Sequence, residues 1–436
     1  MLVRHVRSRK AAVRMAAFLP PESAFTVDFF FMKNSAFLCD VVVVECADEY
    51  SIAKRMRKLK YFFRIIMVAA AALCCSCGNG ESGARDSAAV LENGSSEESE
   101  YGGTGRQEIG ANRYVDTAMG TVIQQTVYAS EETAADFYVK SMALLKELEE
   151  ERLSWRLETS EVWRINGTAG NEEGCGISEE TAGVLRDCVE LYERSDGAFD
   201  VTLGALTRLW NIDKWAAGGL DDGEADGFRL PSSADVEHAL KLCGSDKIRL
   251  AAAGLGEGEP RVFLPEGMGL DLGAVGKGLA QSGLQGLLEA EEGVAGAVIS
   301  LGGSILTFGD KPDGSPWKVG IVNPFDTSSN VGTLSLKGQW CVSTSGDYER
   351  YVEKDGVRYH HILDPHTGYP AVSDVRGVTI LAKNGTLSDG LSTACFLLGP
   401  ERGMELAEEY EVEVLFVMSD GQIVMSEGME TYFTEF

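Results

Sequence analysis

The chain has 436 residues, 44% hydrophobic and 24% charged, a composition that supports a large apolar core. Its net charge is −28; the first 77 residues hold 12 Lys+Arg and 6 Asp+Glu, so the remainder carries 27 basic and 61 acidic residues. So acidic a body repels polyanions, which excludes nucleic acid as a partner, and a polyanionic ligand would need cations or metal placed locally.

Residues 56–77 read MRKLKYFFRIIMVAAAALCCSC. Arg57, Lys58, Lys60 and Arg64 form a basic start and Ile65 to Leu73 a short apolar core, the pattern of a signal peptide rather than a membrane span. The cysteines that follow resemble a bacterial lipoprotein processing site, with Cys77 the expected lipidated residue and Cys74 and Cys75 the alternatives. A signal works only at an N-terminus. Met56 is therefore the expected translation start and 1–55 a misassigned extension, the alternative being a long leader with an internal anchor. Residues 78–108 are rich in Gly, Ser and Glu without apolar periodicity and read as a disordered tether.

From 109 to 436 the chain reads as one domain. A strand pair is expected over 113–128 around Met119-Gly120-Thr121. A helix is expected over 131–152, where Phe137, Met142, Leu144, Leu145 and Leu148 fall at helical spacing, and another over 178–194, opened by Ser178. Residues 216–228 read as an acidic, Gly-rich loop, 233–243 as a helix, and 247–264 as a hairpin interrupted by GLGEGE. A helix begins near Gly276-Lys277. Strands are expected over 295–308, 317–322, 331–344, 375–382 and 412–426, and a helix over 388–409. Strands and helices do not alternate strictly, which favours an α+β fold over a doubly wound sheet. Cys175, Cys188, Cys243, Cys341 and Cys395 show no ligand-like spacing and read as buried apolar residues.

GAVGKG at 273–278 is too short for a Walker loop and lacks the following Ser or Thr. A helix start with free amides and a lysine still suits a pyrophosphate. In TLSDGLSTA at 386–394, Asp389 and Thr393 lie one helical turn apart, an oxygen pair that suits Mg²⁺. Three of the five histidines fall within 341–370. Each segment alone reads equally as turn, cap or surface chemistry.

Together, and in this order, they resemble the ApbE-type FAD:protein FMN transferases. The resemblance runs through MGT at 119–121, LSWRLETSEVWRIN at 153–166, DGAFDVTLGALTRLW at 196–210 and LDLGAVGKGLA at 270–280. It continues through SLGGSI at 300–305, PWKVGIVNP at 316–324, STSGDYERY at 343–351, HHILDPHTGYP at 360–370 and SDGLSTA at 388–394. It implies a single domain of mixed and antiparallel sheets flanked by helices. It implies Mg²⁺ held by Asp389, Thr393 and the Ala274 carbonyl, with Ser392 beside them. It implies FAD, as substrate, contacted by Asp271 and Lys277 and by the flavin-site positions Met119, Trp155 and Ala198-Phe199-Asp200, with the cofactor-binding residues His361 and Ile362 in a flap beside the bound dinucleotide. Met119, Trp155 and Phe199 read equally as core. His361 matches a histidine implicated in activity and is the candidate general base; Asp389, occupied with metal, suits that role less. The implied acceptor is a Ser or Thr in a flavinylation motif of a respiratory or electron-transfer protein. With the lipoprotein signal, the expected location is the bacterial envelope, membrane-anchored by lipid, with the catalytic domain outside the cytoplasm. Hydrolysis of FAD to FMN and AMP, or flavin binding without turnover, remain the alternatives. The chain departs from the family pattern at Trp155, Gln281-Ser282 and Ser304.

Overall fold

The computed structural model describes residues 28–30, 41–43, 109–218, 227–252 and 258–436. The signal peptide with Cys77, the tether, nearly all of 1–55, residues 219–226 of the acidic loop and 253–257 of GLGEGE lie outside the described residues. Residues 1–84 and 85–436 are separate units. In the first, Asp28–Phe30 pairs antiparallel with Val41–Val43.

The second unit is built on an eight-stranded sheet whose strands lie side by side in chain order: Gly110–Ala118, Thr121–Ala129, Gly296–Leu301, Ser304–Gly309, Trp340–Gly346, Val375–Ala382, Glu413–Met418 and Ile423–Met425. Every neighbouring pair is antiparallel. The α+β expectation holds. All six residues of Gly296–Leu301 are buried, because this strand is covered on both faces. Ala297, Ile299 and Leu301 join a core beneath the helices Glu131–Glu147 and Gly273–Ala290. Val298 points the other way, into a core shared with Trp317, Val319 and Leu334 of a smaller three-stranded sheet. That double covering explains a continuous apolar run where a half-exposed strand would alternate.

Sequence patterning fused elements that the backbone separates. The expected strand 295–308 is a hairpin around Gly302 and Gly303. The expected strand 331–344 is two strands, Asp326–Leu336 in the small sheet and Trp340–Gly346 in the large one, parted by a turn in which Gly338 has φ 71°. The strand 412–426 is likewise a hairpin. The helix expected over 131–152 ends as α-helix at Glu147 and runs on as a π-helical turn, Leu148–Leu153. The short helices Glu161–Gly167, Gly204–Trp210 and Ile212–Gly218 carry too few turns for a period to stand out.

Two helices of this unit are in backbone contact. Gly273–Ala290 and Gly385–Glu409 cross so closely that a Cβ on Gly278 would sit 2.2 Å from the Gly385 carbonyl oxygen, and one on Gly385 2.3 Å from that of Gly278. Only glycine at both positions allows that approach. The second helix starts at an Asn384 cap, whose side chain accepts from Leu387 N, and kinks at Gly399 (φ 75°) before Pro400.

A smaller apolar cluster of Leu206, Trp210, Phe228, Val352 and Leu363 ties the short helices to the hairpin Tyr351–Lys354/Val357–His360. Trp210 Nε1 donates to the Gly368 carbonyl at 2.8 Å, clamping the 361–370 segment over the same region.

Candidate active site

One cleft opens where these parts meet. The close crossing lays the first turns of helix Gly385–Glu409 against the start of helix Gly273–Ala290, so Asp389 and Thr393 face Ala274 and Lys277 across the cleft. Asp389 is buried, and its Oδ2 accepts the backbone N–H of Gly278 at 2.9 Å. Thr393 Oγ1 lies 3.2 Å from Ser345 Oγ. The expected oxygen pair therefore faces one space, beside a lysine and a helix start.

A second wall comes from Ala198, Phe199, Asp200 and Asp271. Asp200 is held rigidly: its Oδ1 accepts from Thr202 N at 2.7 Å, Thr202 Oγ1 at 2.6 Å and Ser245 Oγ at 2.7 Å. Asp271 donates its N–H to the Val201 carbonyl and accepts from Gly273 N at 3.0 Å, which joins the two walls. His361 and Ile362 form the third wall.

The cleft's charges pull against burial. Burial raises the Asp389 carboxyl above its ordinary range, opposed by Lys277 and by backbone N–H donors. Burial likewise raises Glu349, with Lys277 and Arg350 opposing and Asp389 adding to the rise. His361 is pushed well below the ordinary imidazole value, by burial first and then by Arg350 and Lys277. Its Nδ1 lies 3.2 Å from the Arg350 carbonyl oxygen, which can only accept, so Nδ1 carries the proton and Nε2 the lone pair.

Three residues singled out from sequence do not line the cleft: Met119, Trp155 and Ser392. Ser392 is fully buried, its hydroxyl bonded to the Asp389 carbonyl at 2.7 Å and to Ser345 Oγ at 2.7 Å. Met119 is a turn residue with φ 52°, its N–H held by Glu149 at 2.7 Å, and it packs against the helix-side core. Trp155 packs against the neighbouring core beneath the Arg156 guanidinium, 3.9 Å from its ring centroid.

The cleft also contains groups that sequence reasoning passed over: Ser345, Glu349, Arg350, Arg156 and Asp213. The first three lie inside STSGDYERY, so that motif held the signal. Asp213 lies in no motif and is found only through its partners. Its carboxylate takes Arg350 Nη1 at 2.9 Å and Arg156 Nη2 at 3.3 Å.

Comparison with known proteins decides the family to which this cleft belongs. The model of the ApbE family matches residues 119–416. This chain belongs to the ApbE family. It is 33% identical over 338 residues to the FAD:protein FMN transferase of Treponema pallidum (strain Nichols), covering 74% of this chain and 89% of that one. Its fold is similar to the crystal structure of the ApbE protein from Thermotoga maritima MSB8, with TM-score 0.65 and 30% identity over 75% of this chain and all of the other. It is also similar to the apo form of the flavinyl transferase ApbE of Pseudomonas stutzeri, with TM-score 0.59 and 30% identity over 73% of this chain and 94% of that one. The mixed fold expected from the resemblance is the one these ApbE structures carry.

Proposed function

We propose that this ApbE-family chain is a Mg²⁺-dependent FAD:protein FMN transferase that joins FMN to a Ser or Thr hydroxyl of an acceptor protein and releases AMP. The observation that carries the reading is the meeting of Asp389, Thr393, Ala274 and Lys277 in one cleft at a helix start. The names of the ApbE relatives support it.

The donors fit magnesium. They are a carboxylate, a hydroxyl and a backbone carbonyl, all oxygen, which is what a small hard cation takes when substrate phosphates and water complete its shell. When bound, Mg²⁺ would neutralise phosphoryl oxygens as charge builds on them. Asp389, Thr393 and the Ala274 carbonyl would hold it. Ser392 would act at one remove, by fixing Ser345 against Thr393.

Lys277 and the first turn of helix Gly273–Ala290 would receive the FAD pyrophosphate, with Asp271, Ile362 and the Ala198–Asp200 wall orienting the dinucleotide. The acceptor oxygen attacks the phosphorus on the FMN side. The bond from that phosphorus to the AMP phosphate oxygen breaks, and AMP departs with the bonding electrons. The hydroxyl proton passes to His361 Nε2, which is neutral and carries the free lone pair. Met119 and Trp155 would act from behind the cleft wall.

The test is AMP release from FAD and Mg²⁺ with and without an acceptor protein bearing a flavinylation motif. Release only with acceptor, together with FMN on the acceptor by mass, is the expected result. Release without acceptor would replace transfer by hydrolysis, and no release would leave a flavin-binding protein.

We further propose that Cys77 carries the lipid anchor and that 109–436 works outside the cytoplasm on an acceptor of a respiratory or electron-transfer complex. The support is the basic start, short apolar core and cysteine of 56–77.

A further inference from the structure

His361, the proton acceptor in that reading, follows a two-stranded hairpin whose last residue, His360, is buried with its Nε2 2.9 Å from the Ala371 carbonyl oxygen. Tyr351–Lys354 and Val357–His360 form a two-stranded sheet in which Tyr351 pairs with His360. Two strands alone are marginal in water, so such a hairpin takes its position from whatever ties it down. Its far end is tied by Lys354 Nζ donating to the Phe228 carbonyl at 2.6 Å, and its middle by buried Val352. Its near end is where Arg350 and His361 face each other, one step beyond the Tyr351–His360 pair.

Arg350 does two things there. Its carbonyl oxygen accepts both the backbone N–H of His361 at 3.0 Å and the ring Nδ1–H at 3.2 Å. Its guanidinium reaches out of the hairpin to Asp213 Oδ1 at 2.9 Å. Asp213 belongs to another element, helix Ile212–Gly218, and its second oxygen takes Arg156 from a third segment. Arg156, Asp213 and Arg350 all line the cleft. One carboxylate thus fastens the end of the hairpin to two other walls.

We propose that Asp213 is a positioning residue: by holding Arg350, it fixes the carbonyl that sets the ring orientation and tautomer of His361. The inference deepens the transferase reading and rests on it for its kinetic part. These ion pairs are partly exposed, with side-chain exposure of 32% for Asp213, 44% for Arg350 and 50% for Arg156, so their contribution to global stability is small.

The experiment compares Asp213→Asn, Asp213→Ala and Asp213→Glu in the full chain. The first readout is the ¹⁵N spectrum of the histidine rings in ligand-free protein, assigned with His361→Gln. Wild type should give His361 protonated at Nδ1 alone, Asp213→Asn and Asp213→Ala a mixture of tautomers, and Asp213→Glu the wild-type state. The second readout is FMN transfer, where Asp213→Asn should lower kcat about fivefold with KM for FAD nearly constant, as expected for a lost exposed ion pair acting on orientation, and Asp213→Glu should restore most of it. Unchanged tautomers in Asp213→Asn would overturn the proposal, as would a raised KM for FAD at constant kcat, which would make the cluster part of dinucleotide binding. Equal loss in all three variants with a lowered melting temperature would also overturn it, in favour of a structural role. Failure of the transferase reading would look different: wild type itself would transfer no FMN, while the ring spectra still report on Asp213.

Discussion

Gly278 donates its backbone N–H to Asp389 Oδ2 at 2.9 Å, and it can do so because its missing side chain lets the Gly385 carbonyl come within reach of its Cα. The contact that packs the two helices is therefore the contact that aims the carboxylate. A Cβ on Gly278 would also fall 2.7 Å from Asp389 Cβ. Gly278→Ala must push the helices apart, and overpacking of this kind costs about 1–3 kcal/mol. The expected result is a lower urea midpoint with an unchanged m-value, and a loss of FMN transfer larger than the fraction unfolded explains. Wild-type activity in a destabilised Gly278→Ala protein would separate packing from aim.

Asp389→Asn should split stability from activity. The fold raises the Asp389 carboxyl, so its burial penalty is absent below the unfolded value of about 3.9 and grows as pH rises through it. Without metal at pH 7, Asp389→Asn should raise the melting temperature, because an amide accepts from Gly278 at no charge cost. At pH 3.5 the gain should vanish. Mg²⁺ should raise the melting temperature of wild type and not of the variant. Several kcal/mol of lost transition-state stabilisation should lower transfer by about a thousandfold or more. A variant that still responds to Mg²⁺ would remove Asp389 from the metal site.

The elements that build the cleft differ in how far the sequence exposes them. Asp389 and Thr393 could be paired from helical spacing alone, and Lys277 from its place at a helix start. Ser178 as a helix cap was equally readable, since its side chain accepts from Thr181 N as that position requires. The helix Ile212–Gly218 was not, because it is short and runs into a Gly-rich acidic stretch whose local composition signals a loop. Its Asp213 matters through partners 57 and 137 residues away in the chain, a relationship no local pattern encodes. Ser392 was legible as a neighbour of the Asp389–Thr393 pair. Its inward direction was not, because a helix face assigns a side only once the packing of both neighbours is known.

The anchor proposal makes a separable prediction. Cys77→Ser should move the protein from the membrane fraction to the soluble fraction of an expressing bacterium, since stable attachment depends on acyl chains added at that residue. Cys74→Ser and Cys75→Ser should leave it in the membrane. Transfer activity measured in detergent should be the same for all three variants. Release by Cys75→Ser instead would relocate the lipid, and retention in all three would replace lipidation by an uncleaved anchor.

The pH profile should follow the environment of His361. In the fold its protonated form is disfavoured by burial and by Arg350 and Lys277, and His360 is lowered too, by burial. An unfolded imidazole titrates near 6.5, so protons taken up below that value favour the unfolded chain, and stability contributed by the neutral rings is lost as pH falls through about 6.5 and beyond. In the proposed mechanism, catalysis depends on the same neutral form. In kcat/KM, which reports the free enzyme, the acid limb should therefore lie below about 6.5, where an ordinary histidine would place it. His361→Gln should lower transfer by about 10²–10⁴-fold and remove the limb. The same variant should lose less stability than wild type between pH 7 and 5, because one of the two rings that resist protonation is gone. An acid limb that survives His361→Gln unchanged would assign it to another group in the cleft, with Glu349, raised by burial, the first to test.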